Sequence, residues 1–358
     1  MHSRPCDVDN FGQKSSSEIL IRDTKVLKFL ADGTWQSVFL ATHPANPAGY
    51  IVLKLIIPGV LDKHDWNAIG KMRQESSMWF ALNASPRSPS FPQLYLYAAG
   101  IGRDCLVNTL KLPAMFGNVP GHQTVDLLMM EFKRGGEKPD PVRNPEAFRR
   151  YAKSLTRGLA HSQGRGVSFC DIKPGNINWD NETAAFVDLN VGYFEDVATR
   201  RLITGSYCTE KRVNEAMPSA CTPNGTAKKK RREETGRNWN WAINRCALGD
   251  LQKTGIMLEQ ALFESLEFES LEFRRAAREL YNNVSCCHCS DVSSDVCKRV
   301  ESYRTALVIN ARPEPGWALA CDFARSMQFA DKHDAEYDGH SHPGRVAELL
   351  EHPWFTSK

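Results

Sequence analysis

The chain predicts an α+β protein large enough for two lobes around a cleft. Two observations carry this. Strand-like alternation runs on from Val26 and helical apolar stripes mark Asp65 to Asn83 and Phe148 to Leu159, and 358 residues suffice for two lobes around a cleft. With 42% apolar and 24% charged residues, the chain can bury a sizeable core.

Taken in order, residues 1–22 are polar and Ser-rich and read as a flexible tail. From Val26, LKFLADGTWQSVFLATHPANPAGYIVLKLI alternates apolar and polar residues on either side of turn formers, as paired strands do. Asp65 to Asn83 carries a helical stripe of Ile69, Met72, Met78, Trp79 and Leu82. Residues 103–123 read as an extended loop between two strands. Leu127 to Glu137 is a strand breaking into a Gly-Gly turn. Phe148, Tyr151, Leu155 and Leu159 predict a helix that stops at Gly164 and Gly166. The short apolar run Ala184 to Val187 reads as a strand. At 263–273 the doubled FESLE spaces its apolar residues by 3, 2, 3 and 2, and a helix with one broad apolar face is expected there.

The chemistry concentrates in Phe169 to Phe194, FCDIKPGNINWDNETAAFVDLNVGYF. Asp171 is followed by Lys173, Asn176 and Asp188 at separations of 2, 5 and 17 residues. A carboxylate to accept a hydroxyl proton, a cation for a transferring phosphate and two oxygen ligands for Mg²⁺ are what phosphoryl transfer requires. D-I-K-P-G-N followed by D-L-N resembles the catalytic loop and DFG motif of eukaryotic protein kinases, in the Ser/Thr form with lysine two places after the acid.

That resemblance implies a bilobal α+β protein-kinase-like fold, with residues 23–133 as a small β-rich N-lobe with one main helix and 134–358 as a larger, mostly helical C-lobe carrying insertions near 211–240 and 283–315. It implies Mg-ATP as cofactor, with Asp171 and Lys173 catalytic and Asn176 and Asp188 on the metal. The hairpin near Gly33 resembles the glycine-rich loop, so Leu30, Ala31, Gly33 and Val38 would lie against ATP. Val52 would join Val38 above the adenine, Lys54 would meet the α- and β-phosphates, and Glu75, 21 residues on, would pair it. LLMMEFKRGGE resembles the hinge, with Met130 guarding the pocket behind adenine and Glu131 to Lys133 offering backbone hydrogen bonds. Asp250 in DLQKTGIML matches the acid that anchors the catalytic loop, and GRVAELLEHPWF (Gly344 to Phe355) resembles the closing helix of many Ser/Thr kinase domains.

The chain departs from the family in places. Only the middle glycine of the loop remains, with Ala31 and Gln36 at the outer positions, and Trp35 at the tip is placed to shield the phosphates. HRD is Phe169-Cys170-Asp171, which removes the usual partner of an activation-loop phosphate. The DFG glycine is Asn190, a residue that tolerates left-handed backbone. Asn178 stands where an aliphatic side chain usually packs under adenine. Ala-Pro-Glu is missing, with Glu210 or Glu234 as the acid, and Arg345 stands two residues from the position of its expected partner.

A net charge of +3 argues for neither nucleic acid nor membrane as the main partner. Eleven scattered cysteines suggest reduced thiols in the cytoplasm, with the nucleus as alternative. The Lys228–Arg232 run reads as a localisation signal, an acidic-partner patch or a solvated loop. Cys286, Cys287, His288, Cys289 and Cys297 read as a zinc site or a polar insertion. The leading expectation is a kinase acting on Ser/Thr hydroxyls of protein substrates. A pseudokinase serving as an interaction module is the alternative, and a small-molecule kinase of the same fold the third.

Overall fold

A computed structural model describes residues 21–32, 36–44, 46, 49–56, 61–112, 124–169, 171–189, 193–196, 201–202, 249–262, 315–328 and 343–356. Mixed α+β architecture is present, with one five-stranded antiparallel sheet and several helices. The described residues form two compact units. One holds the chain to Arg87 together with Pro92–Lys133, and the other holds Ser88–Phe91 and the chain from Arg134 onward.

In the first unit β1 (Lys25–Asp32), β2 (Gln36–Thr42), β3 (Tyr50–Ile56), β4 (Leu94–Gly102) and β5 (Thr124–Glu131) lie in the order β1-β2-β3-β5-β4. Alternation sorts the side chains by face. Phe39, Ala41, Ile51, Leu53, Leu55, Leu127 and Met129 point into one cluster with Met72 of helix α1 (Leu61–Asn83). The helix starts at Leu61, ahead of the Asp65 that the stripe suggested. Asp126 is buried on β5 and accepts the Tyr97 hydroxyl at 2.6 Å and the Gly100 N–H at 2.9 Å, tying β4 to β5.

Residues 103–110, expected as extended loop, instead form helix α2 (Arg103–Leu110). Leu106 and Leu110, one turn apart, are both buried against the sheet cluster, and that burial overrides a polar segment with weak periodicity. Cys105 on this helix is disulfide-bonded, against the expectation of reduced thiols throughout, because spatial pairing is invisible in a cysteine count.

In the second unit α3 (Pro145–Gly164) is capped by the Asn144 side chain, which accepts the Ala147 N–H at 3.0 Å. Its buried residues include Phe148, Tyr151, Leu155 and Leu159, the predicted stripe. β6 (Val167–Ser168) pairs with β9 (Tyr193–Asp196), which pairs with β10 (Arg201–Leu202). The hairpin of β7 (Ile177–Trp179) and β8 (Ala184–Phe186) packs on α3, and its turn is closed by Asp180, whose side chain accepts the N–H groups of Glu182 and Thr183. A helix over residues 249–262 (α4), α5 (Pro315–Gln328), α6 (Pro343–Leu350) and α7 (Pro353–Thr356) complete the description. Trp354 and Phe355 of the His-Pro-Trp-Phe ending pack against Phe323, at 5.3 and 4.6 Å between ring centroids.

The FESLE repeat, the Lys228–Arg232 run, the Cys286–Cys297 cluster, Glu210 and Glu234 lie outside the described residues. No described helix is long and apolar enough to cross a membrane.

Phe91, Phe169 and Phe186 form a buried stack, with Phe169 and Phe186 centroids 4.5 Å apart. Gly158 gives the stack its room, since a Cβ there would come within 2.5 Å of Phe186 Cε2. Gly158→Ala is therefore expected to destabilise the chain by about 1–3 kcal/mol despite the better helix propensity of alanine, because a ring held on both sides cannot step aside. Urea unfolding of the two proteins measures this.

Candidate functional site

Ala31, Val38, Val52, Lys54 and Met130 share the face of the sheet opposite Leu53 and Leu55. Their register fixes this, with Ala31 opposite Val38, Val38 opposite Lys54, and Val52 opposite Met130. Leu30 is skipped by the register at an irregularity of β1 and lies exposed, so it does not join that row. Asp32 accepts the Ser37 hydroxyl at 2.6 Å, joining the end of β1 to the start of β2; Gly33 and Trp35 lie outside the described residues.

Lys54 and Glu75 meet. The Lys54 ammonium donates to Glu75 Oε1 at 2.5 Å, and both residues are buried, 4% and 1% exposed. Two charges removed from water cost several kcal/mol each before their attraction offsets it. Helix α1 delivers the carboxylate, and Trp79 one turn further donates its indole N–H to the same oxygen at 3.1 Å. Sequence reasoning assigned Trp79 to the apolar stripe and missed this bond; its spacing of four residues from Glu75 was the available signal.

Glu131 pairs with Ile51 on the other face, and its carboxylate accepts from Arg87 at 2.8 Å, Lys133 at 2.9 Å and the Gln93 N–H at 3.0 Å. Burial works against its ionised form, but the Lys133 hydrogen bond, the Gln93 N–H and the Lys133 and Arg87 charges outweigh it and hold the carboxyl below its ordinary value. The Glu131 N–H donates to the Gln93 carbonyl and the Phe132 N–H to the Tyr50 carbonyl. Two of the three hinge N–H groups expected to face a base are thus engaged with backbone.

In the second unit, α3 ends at a turn through Gly166 (φ +70°) and leads through β6 into the loop at 169–176. Asp250, 2% exposed on α4, accepts the Phe169 N–H at 2.6 Å. Phe169 is stacked as described, so the loop is pinned by a carboxylate and a ring just before Asp171. Asp171 Oδ2 takes the Lys173 ammonium at 2.6 Å and the Asn176 Nδ2 at 3.1 Å, and Asn176 Nδ2 also donates to the Asp171 carbonyl at 3.0 Å. Side-chain exposures of 34% for Asp171 and 47% for Lys173 leave both open to solvent.

The Asn176 carbonyl accepts the Val187 N–H at 3.0 Å, which brings Asp188 next to the loop although twelve residues separate it from Asn176. The amide nitrogen of Asn176 is engaged by Asp171, which leaves Asn176 Oδ1 and the Asp188 carboxylate as the two oxygen donors that this segment could offer a metal. Two hard oxygen donors suit a cation such as Mg²⁺, which takes one or two protein ligands and completes its shell with water or phosphate. No cluster of three or more His, Cys, Asp or Glu able to hold a metal exists among the described residues. Gly135 and Gly136 lie against β7. The Gly136 N–H donates to the Trp179 carbonyl at 2.7 Å, and a Cβ at Gly135 would sit 3.1 Å from Asn178 Oδ1.

No protein-family model and no curated protein matches this chain.

Two expectations follow from this geometry. Asp250→Ala leaves the buried Phe169 N–H without its acceptor and should cost about 1–3 kcal/mol in chemical unfolding. For Glu131, a carboxyl held below the ordinary value of 4.5 contributes stability that is complete above that value and is lost as pH falls through the lower folded value. Thermal melts from pH 6 downward should therefore show an acid-side loss in the native chain that is smaller in Glu131→Gln.

Proposed function

We propose that this chain is a divergent protein kinase of the eukaryotic Ser/Thr type, with a bilobal protein-kinase-like fold, transferring the γ-phosphate of Mg-ATP to hydroxyls of protein substrates. The observation that carries the proposal is the buried Lys54–Glu75 pair. An ammonium and a carboxylate 21 residues apart, taken out of water together at considerable cost, mark a functional arrangement more readily than a stabilising one. The order of the sheet supports the same reading, with α1 and its acid inserted between β3 and β4.

In this reading Lys54, aimed by Glu75, binds the α- and β-phosphates. Val38, Val52 and Met130 supply apolar surface for the base. Asp171 orients the acceptor hydroxyl and takes its proton as the oxygen attacks the γ-phosphorus and the bond to the β-phosphate oxygen breaks. Lys173 offsets charge on the transferred group. Asn176 and Asp188 would hold Mg²⁺, which would supply charge neutralisation at the phosphates.

A second reading, a pseudokinase acting through its surface, is favoured by one specific feature. Gln36, 4% exposed, occupies a position where the family keeps glycine for the phosphates.

The test is transfer from labelled Mg-ATP to a generic protein substrate, alongside thermal melts with and without Mg-ATP. Transfer is expected, with Asp171→Asn lowering kcat by about 10²–10⁴-fold, the range for loss of a positioned general base. Neither transfer nor a thermal shift would favour the pseudokinase. Undiminished transfer by Asp171→Asn would remove Asp171 from its role.

A further inference from the structure

We infer that Trp79 is a positioning residue for the Lys54–Glu75 pair, its indole N–H locking the Glu75 carboxylate in the rotamer that meets the ammonium. Its effect on rate rests on the phosphoryl-transfer reading above; the hydrogen bond does not.

A glutamate has several rotatable bonds, and a single lysine contact leaves it free to swing elsewhere. Here Oε1 of Glu75 takes two donors from two elements, Lys54 Nζ from β3 at 2.5 Å and Trp79 Nε1 from one turn along α1 at 3.1 Å. Trp79 is 0% exposed, and Met72, Met78 and Leu82 of the same helix are 3% exposed or less, so the ring is held by packing and its N–H has a fixed aim. The indole nitrogen only donates. If the carboxylate turned away, a donor buried at the centre of the unit would lose its acceptor, a cost added to that of uncovering Lys54.

All three groups belong to one compact unit, so the pair closes by the packing of that unit. This agrees with the sequence at Cys170, where the arginine that would answer an activation-loop phosphate is missing. A carboxylate latched by its own helix has no need of that signal to find its lysine.

The experiment uses the full chain, γ-labelled Mg-ATP and casein as acceptor, with Trp79→Phe, which keeps an aromatic ring and removes the N–H, Glu75→Gln, and the double variant. Trp79→Phe is expected to lower kcat about tenfold in the native background and to cost nothing further once Glu75 is glutamine. Equal losses in both backgrounds, as a purely structural tryptophan would give, overturn the inference.

A second readout does not depend on activity. Among the eight tryptophans, the ¹⁵N-indole resonance missing from Trp79→Phe should move upfield in Glu75→Gln as its charged acceptor is lost, and an unmoved resonance overturns the inference. If Trp79→Phe does not fold, Glu75→Gln alone decides, since one indole signal must move. A native chain that neither binds Mg-ATP nor transfers phosphate sinks the kinase reading and leaves the resonance test to decide the latch.

Discussion

The buried ion pair of Lys54 and Glu75 is the constraint around which the first unit is arranged. A strand lysine facing away from the apolar cluster would ordinarily extend to water. Holding it 4% exposed requires a carboxylate at hydrogen-bond distance, because an isolated charge in that setting would be intolerable. The carboxylate comes from α1, so the helix must lie where its one-turn row of Met72, Glu75, Trp79 and Leu82 is covered. Met72 enters the same apolar cluster as Leu53 and Leu55, which are on the opposite face of β3 from Lys54. Packing and charge pairing thus fix the same helix, and neither has to be strong alone.

The second unit solves a different problem. Its charged loop leaves Asp171 and Lys173 partly exposed on a backbone that is held at several points. The Phe169 ring, stacked on Phe186 and Phe91, supplies burial without polar cost. Asp250 satisfies the N–H that this burial would otherwise strand. From there the side chains restrain one another, with Asn176 gripping both the carbonyl and the carboxylate of Asp171. A loop so braced presents its polar groups with little conformational freedom left to lose, as the proposed phosphoryl transfer would require.

Legibility varied with the kind of signal. The α3 stripe of Phe148, Tyr151, Leu155 and Leu159 was readable because a helix against a core repeats its apolar residues at fixed steps. Helix α2 was not, since eight residues with two buried leucines leave too short a pattern. Trp79 was visible as an apolar residue and invisible as a donor, because indole serves both roles and periodicity reports only one. The engagement of the Glu131 and Phe132 N–H groups by Gln93 and Tyr50 depends on strands distant in sequence, and no local pattern encodes it.

What the sequence determined by itself was the inventory of chemistry and its order: Lys54, Glu75, Asp171, Lys173, Asn176 and Asp188 on or beside elements whose type follows from local periodicity. Tertiary structure alone decided which of these groups touch, that Glu75 answers to Trp79 as well as Lys54, and that Asp250 holds Phe169. The physical reason is range. Secondary structure follows from interactions over a few residues, whereas the pairing of residues 21 or 81 positions apart is chosen by which arrangement buries apolar surface without leaving a charge or an N–H unanswered.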